Sequence, residues 1–153
     1  MTPKRAGVSA VALTVLAVGV LLIMVMFAAR SGPERIFAGP LGRDDIVAAP
    51  WRPGIELADS AGLVRPEFVW AALDCPGAFA FTTKRGIPLL LGRLTARLAT
   101  RLSPGETATV LGWPIGRDGR KLFAGTAVFA ASGALAGLAR AVWFLPAGIE
   151  SLE

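Results

Sequence analysis

The 153-residue chain has no histidine, no tyrosine and a single cysteine, Cys75. Without histidine there is no Ser-His-Asp triad, no Cys-His dyad and no His-ligated metal centre. A lone thiol closes no disulfide within the chain, so the fold must hold by packing. Charge is also scarce, with 18% charged residues against 54% hydrophobic ones, and the 16 Lys and Arg exceed the 11 Asp and Glu. The length suits one domain with a real core and not two catalytic lobes.

Part of the apolar content is concentrated at the start. Ala6 to Ala29 is an uncharged run of 24 residues, flanked by Lys4-Arg5 and by Arg30. As a helix rising about 1.5 Å per residue it reaches roughly 36 Å, enough to cross a hydrocarbon layer of about 30 Å. Ser9 and Thr14 are its only side-chain hydrogen-bonding groups. Both can bond back to helix carbonyls, so the run reads as an anchor and not as a pore. A cleaved signal peptide, with Phe27-Ala28-Ala29 as the cleavage region, and a leader foreign to the domain are the alternatives. Lys4 and Arg5 precede the run while Arg30, Arg35 and Arg43 follow it, which leans toward a cytoplasmic domain behind a single-pass membrane anchor. The expected organisation is residues 1–30 as a transmembrane anchor or leader and residues 31–153 as the domain.

From Ser31 to Pro66 every apolar run is short, and Gly and Pro recur between the runs, a pattern of short strands and loops. It predicts strands at Arg35–Ala38 and Ile46–Trp51. Pro66 suits the first position of a helix and Glu67 complements its positive end. The following EFVWAALDCPGAFAF is apolar almost all round, predicting a core helix buried on most sides, with Pro76 kinking or ending it near Asp74-Cys75. Period-two alternation then runs through LLLGRLTARLATRL, with Leu90, Leu94, Ala96, Leu98 and Leu102 on one side and Arg93, Thr95, Arg97 and Arg101 on the other. Turns at Ser103-Pro104-Gly105-Glu106, at Asp118-Gly119 and at Ser132-Gly133 separate the runs that follow, with a type I′ hairpin loop expected at Asp118-Gly119. Four runs joined by tight turns predict an antiparallel meander that receives the helix on one face, an α+β architecture.

The segments GLVRPEFVWAALDCPGAFAF, LLGRLTARLATRLSPGETATVLGW and GRDGRKLFAGTAVFAASGALAGLARAVW, in this order, resemble the hotdog-fold acyl-CoA thioesterase superfamily, over residues 35–146. The layout is similar to the phenylacetate-degradation type. The resemblance implies a hotdog fold, an antiparallel sheet wrapped around a central helix, and a homodimer or dimer of dimers whose sheets join edge to edge. It implies an acyl-thioester site at the dimer interface, with coenzyme A entering as part of the substrate and no separate cofactor. Because hotdog domains also serve as acyl-binding modules without catalysis, two functions stand side by side. One is hydrolysis of an acyl thioester by a single carboxylate. The other is a non-catalytic, membrane-tethered acyl-binding or scaffolding domain.

By the same resemblance Asp74, eight residues after Pro66, inherits the role of nucleophile or general base. Desolvation on an apolar helix would raise its pKa and suit it to that role. The alternative for Asp74 is a structural acid that bonds a helix end or pairs with an Arg across the interface. Where the family carries His-Gly-Gly this chain has Arg65-Pro66-Glu67, and proline has no N–H to offer an oxyanion. Glu67 N–H is the candidate substitute. Cys75 reads as a small buried hydrophobe, since no histidine is present to activate it. Lys84, Arg85, Arg117, Arg120 and Lys121 are candidates for the phosphates of a coenzyme A tail, the alternative being solvated loops. Arg93, Arg97 and Arg101 read as solvated or paired, with an anionic surface as the other option, and the lack of interleaved aromatics argues against nucleic acid.

Overall fold

The computed structural model describes residues 36, 38–41, 45–82 and 89–149. The expected membrane span at residues 6–29 lies outside them, as do Lys84 and Arg85. Among the described residues no helix is long and apolar enough to cross a membrane.

Six strands form one antiparallel sheet: β1 (Gly39–Pro40), β2 (Val47–Trp51), β3 (Leu90–Leu98), β4 (Ala108–Asp118), β5 (Lys121–Phe129) and β6 (Leu135–Phe144). Among the described residues a single α-helix, α1 (Pro66–Thr82), precedes β3, with a short 3-10 turn at Ile55–Leu57 before it. The spatial order is β1-β2-β4-β5-β6-β3. The expected strand at Ile46–Trp51 is present as β2, whereas the strand expected at Arg35–Ala38 is displaced to the two residues of β1.

The meander is correct for β4, β5 and β6 and wrong for β3. Instead of pairing with β4, β3 pairs with β6 at the far edge, from Leu90 opposite Phe144 to Leu98 opposite Gly137, and β2 takes the place beside β4. The Pro-Gly segment after β3 is a crossing connection and not a hairpin. Leu102 is buried in the core, the Gly105 amide donates to the Pro53 carbonyl at 2.7 Å, and the Val64 amide donates to the Leu102 carbonyl at 2.9 Å. The β4–β5 loop is Gly119-Arg120, and only Gly119 has positive φ, at 55°. This is the pattern of a type II′ turn, with glycine at the first central position, in place of the expected I′.

Alternation holds where the strands are paired. Leu94, Ala96 and Leu98 of β3 are half-buried while Arg93, Thr95 and Arg97 are exposed. A bulge between Leu91 and Arg93 breaks the period at Gly92, leaving Leu90 61% exposed. A Cβ at Gly92 would strike the Phe144 ring, so the irregular stretch depends on glycine.

Helix α1 lies on the sheet through Val69, Leu73, Pro76 and Ala80, all buried, at the i, i+4, i+7, i+11 spacing of one helix face. The helix runs through Pro76 and ends at Thr82, so the expected break near Asp74-Cys75 does not occur. The sheet beneath it is floored by small residues. A Cβ on Gly112 would collide with the Pro76 carbonyl, and one on Gly77 would sit 3.1 Å from the Ala124 Cβ. The buried Thr126 hydroxyl donates to the Leu73 carbonyl at 2.7 Å. Close seating on the sheet keeps Pro76 within the helix, although a proline in a helix interior costs about 3 kcal/mol, and the Thr126 bond ties the same turn to β5.

Candidate functional site

The helix places the candidate acids. Its buried stripe faces the sheet, and the opposite side carries Glu67, Trp70, Asp74 and Cys75. Trp70 is 39% exposed and Cys75 is exposed, so among the described residues this side is less well covered than the side on the sheet. Most of the helix is nonetheless buried or half-buried, as its apolar sequence led one to expect, with Pro66, Glu67, Trp70 and Cys75 exposed.

Asp74 is half-buried on the side of the helix away from the sheet, and its Oδ1 is shielded from solvent without a hydrogen-bond partner. Desolvation raises the carboxyl above its ordinary value of 3.8, as it does for any acid withdrawn from water without a cation beside it. Such an acid retains its proton to higher pH and is a stronger base once ionised. The adjoining Cys75 thiol, although at the surface of the chain, is crowded by helix and apolar neighbours. Desolvation, with the Asp74 charge second, pushes it up to about 11, which leaves it protonated and a poor nucleophile at neutral pH.

Glu67 lies in the first turn of α1, its side chain exposed and 3.5 Å from the Arg65 guanidinium. Arg65 also lies over the Phe68 ring at 4.6 Å. The Phe68 amide donates to the Arg65 carbonyl at 3.1 Å. Seven residues of helix separate Glu67 from Asp74, about 10 Å at 1.5 Å per residue. The two therefore do not meet in one protomer.

Arg117, Arg120 and Lys121 gather at the β4–β5 hairpin. Arg117 Nε donates to the Gly119 carbonyl at 2.7 Å. Arg120 donates from Nε and Nη2 to the Leu145 carbonyl, at 3.0 and 2.6 Å, so this guanidinium already holds the segment after β6. The buried cluster at this end of the sheet joins Leu122 and Leu145 to Ala78 and Phe81. The hairpin thus lies by the C-terminal part of α1, whereas Glu67 lies at its start.

Arg101 falls beyond β3 and leaves the row of arginines expected on that strand. It pairs with Asp59 and donates to the Val64 carbonyl at 3.2 Å. Asp59 Oδ1 in turn accepts from the Ala61 amide at 2.9 Å and the Leu63 amide at 3.2 Å. These bonds fix the loop that leads into α1, and the Arg101 hydrogen bond, followed by the backbone bonds, lowers the Asp59 carboxyl. Thr126 was not legible as a supporting residue. Only the strand register, which brings it under Leu73, reveals it.

Known structures resemble this geometry closely enough to decide the fold. The E. coli PaaI protein of the phenylacetic acid degradation operon matches with a TM-score of 0.67 at 10% identity, over 82% of this chain and 91% of that one. The chain has the hotdog fold. A hypothetical thioesterase from Streptococcus pneumoniae with coenzyme A matches at 0.66 and 12% identity, covering 79% of this chain and 95% of that one. Zebra fish thioesterase superfamily member 2 matches at 0.65 and 15% identity, covering 83% and 96%. No family model matches the chain, and no curated protein matches its sequence. The hotdog architecture anticipated from the order of elements is therefore present, with β3 at the sheet edge as the correction.

Proposed function

We propose that the protein is an acyl-thioester hydrolase of the hotdog type, acting on an acyl-CoA with Asp74 as its single catalytic carboxylate. The observation that carries this reading is the state of Asp74: half-buried, without a cation, with one oxygen shielded and unpartnered. A structural acid at that depth is ordinarily paired. As a general base, Asp74 takes a proton from water, the hydroxide adds to the thioester carbonyl, and collapse breaks the C–S bond. The proton passes from Asp74 to the departing thiolate, yielding the carboxylic acid and free coenzyme A. The solved relative from Streptococcus pneumoniae that carries coenzyme A supports this substrate class.

The developing oxyanion needs a donor, and Pro66 supplies none. With the Phe68 amide turned onto the Arg65 carbonyl, Glu67 N–H is the donor we assign. Its distance from Asp74 along the helix requires that the two come from different chains, so the active form is a homodimer, edge to edge through β3, or a dimer of such dimers. Exposed Lys121, with Arg117, Lys84 and Arg85, then serves the phosphates of the coenzyme A tail. Residues 6–29 tether the domain to a membrane, single-pass, with the domain in the cytoplasm.

The second reading, an acyl-binding or scaffolding domain without hydrolysis, is favoured by Pro66 at the point where the oxyanion donor would otherwise begin. Assaying the full-length protein in detergent against a panel of acyl-CoAs separates the two. Turnover that falls by about 10²-fold or more in Asp74→Asn supports the hydrolase. Binding of acyl-CoA with no release of thiol supports the binding domain.

A further inference from the structure

We infer that the sheet face turned away from α1, at the β3–β6 edge, docks on an anionic phospholipid surface. Strand pairing sets Thr95 opposite Arg140, with Arg93 and Arg97 two residues to either side on the same face. Diagonal neighbours in a sheet lie roughly 7 to 8 Å apart, so the three arginines stand on one basic patch, with the Arg140 guanidinium turned toward β5 over Phe123. All three arginines and Thr95 are exposed. Among the described residues none of the three has a carboxylate partner, and strands β5, β6 and β3 contain no Asp or Glu. Like charges on one patch repel one another, and no acid on β5, β6 or β3 compensates them.

The cluster is not purely polar. Leu138, paired with Arg97, is 44% exposed, and Arg140 lies over the Phe123 ring at 5.5 Å. Guanidinium groups favour phosphate through paired N–H donors, and an exposed leucine among them suits the boundary between headgroups and acyl chains. A second copy of the chain is a poor occupant, since face-to-face contact would oppose six arginines with no acid. Single-stranded nucleic acid would need exposed stacking aromatics, whereas the aromatics on this face, Trp113, Phe123 and Phe144, are half-buried and Arg140 covers the Phe123 ring. A bilayer is the anionic surface to which the apolar run at residues 6–29 would bring the domain. To that extent the inference rests on the tether proposed above.

The test uses the full-length chain in lipid nanodiscs of phosphatidylcholine alone or with about 30% phosphatidylglycerol. A nitroxide is attached at Thr95→Cys in a Cys75→Ser background, and its accessibility to water-soluble and lipid-soluble relaxing agents is read. The expected result is headgroup depth in the anionic discs only, reversed by about 0.5 M salt because exposed charges are screened, and absent in R93E/R97E/R140E. The milder R93Q/R97Q/R140Q, checked by circular dichroism, serves if charge reversal disturbs folding. A label equally exposed to water in both discs overturns the inference. If the chain enters neither disc, the tether has failed and the face is tested by itself, by sedimentation with vesicles of the same two compositions. Binding to the anionic set alone, weakened on the order of a hundredfold by the triple reversal, then supports it. Equal binding to the two sets, or none, as expected of a face made for an acidic protein, overturns it.

Discussion

Asp74 and Asp59 are two aspartates pushed in opposite directions, and their stability effects must differ in sign. Burial raises the Asp74 carboxyl, so the folded chain holds this proton more tightly than the unfolded one. The associated stability is present below the ordinary value of 3.8 and is lost as the pH rises through the raised folded value. Asp59 is lowered, chiefly by the Arg101 hydrogen bond, so its contribution is present above 3.8 and is lost as the pH falls through its folded value. Thermal unfolding of Asp74→Asn and Asp59→Asn between about pH 3 and about pH 8 checks both signs. Near neutrality Asp74→Asn melts above the parent and Asp59→Asn below it, and both gaps narrow on acidification. An Asp74→Asn gap that widens toward low pH contradicts the desolvated carboxyl. Thr126 acts at the same scale. Thr126→Val removes the bond to the Leu73 carbonyl and lowers stability by about 1 kcal/mol or more in denaturant titration, while Thr126→Ser, which keeps the hydroxyl, restores most of the loss attributable to it.

Helix α1 and its floor show how elements were and were not legible. Pro66 announced the helix start correctly, because proline suits the first turn whatever surrounds it. Pro76 does not end the helix, because its cost is set by tertiary packing: Gly112 lets β4 approach the Pro76 carbonyl, and Pro76 is buried against the sheet. Gly112→Ala therefore forces the helix off the sheet and costs about 1 to 3 kcal/mol as overpacking. Gly116→Ala, in the same strand with open space around it, changes stability by no more than about 0.5 kcal/mol. Equal effects at the two sites would mean that the close approach at Gly112 is relieved cheaply. Alternation exposed the inward side of β3, because a period of two follows from the pleat. It did not reveal that β3 pairs with β6, since partner choice depends on a connection crossing the end of the sheet. The basic cluster stayed hidden for the same reason. Arg93 and Arg97 could be read along one strand, but Arg140 joins them, and Arg101 leaves them for Asp59, only through long-range register and loop packing.

For the whole molecule the decisive length is the two helical turns between Glu67 and Asp74. If hydrolysis uses the Asp74 carboxylate of one chain and the Glu67 amide of another, each variant is inactive alone for a different reason. Asp74→Asn lacks the base, and Glu67→Pro lacks the N–H while leaving a residue tolerated in the first helical turn. Coexpression at equal levels gives homodimers of each kind and, for half the population, mixed dimers. Each mixed dimer has one site with an intact Asp74 facing an intact Glu67 amide and one site lacking both. Activity therefore returns to about a quarter of the parent's, since half of the dimers carry one of two sites. A site completed within one chain gives no recovery, because every protomer in the mixture carries one lesion. Isolating mixed dimers with two different affinity tags raises the expected value to about half. Thiol release per dimer distinguishes this result from a partially active single variant, whose rate would not depend on the partner. Recovery would also tie catalysis to dimer formation, so activity should fall on dilution together with the dimer fraction measured by sedimentation velocity.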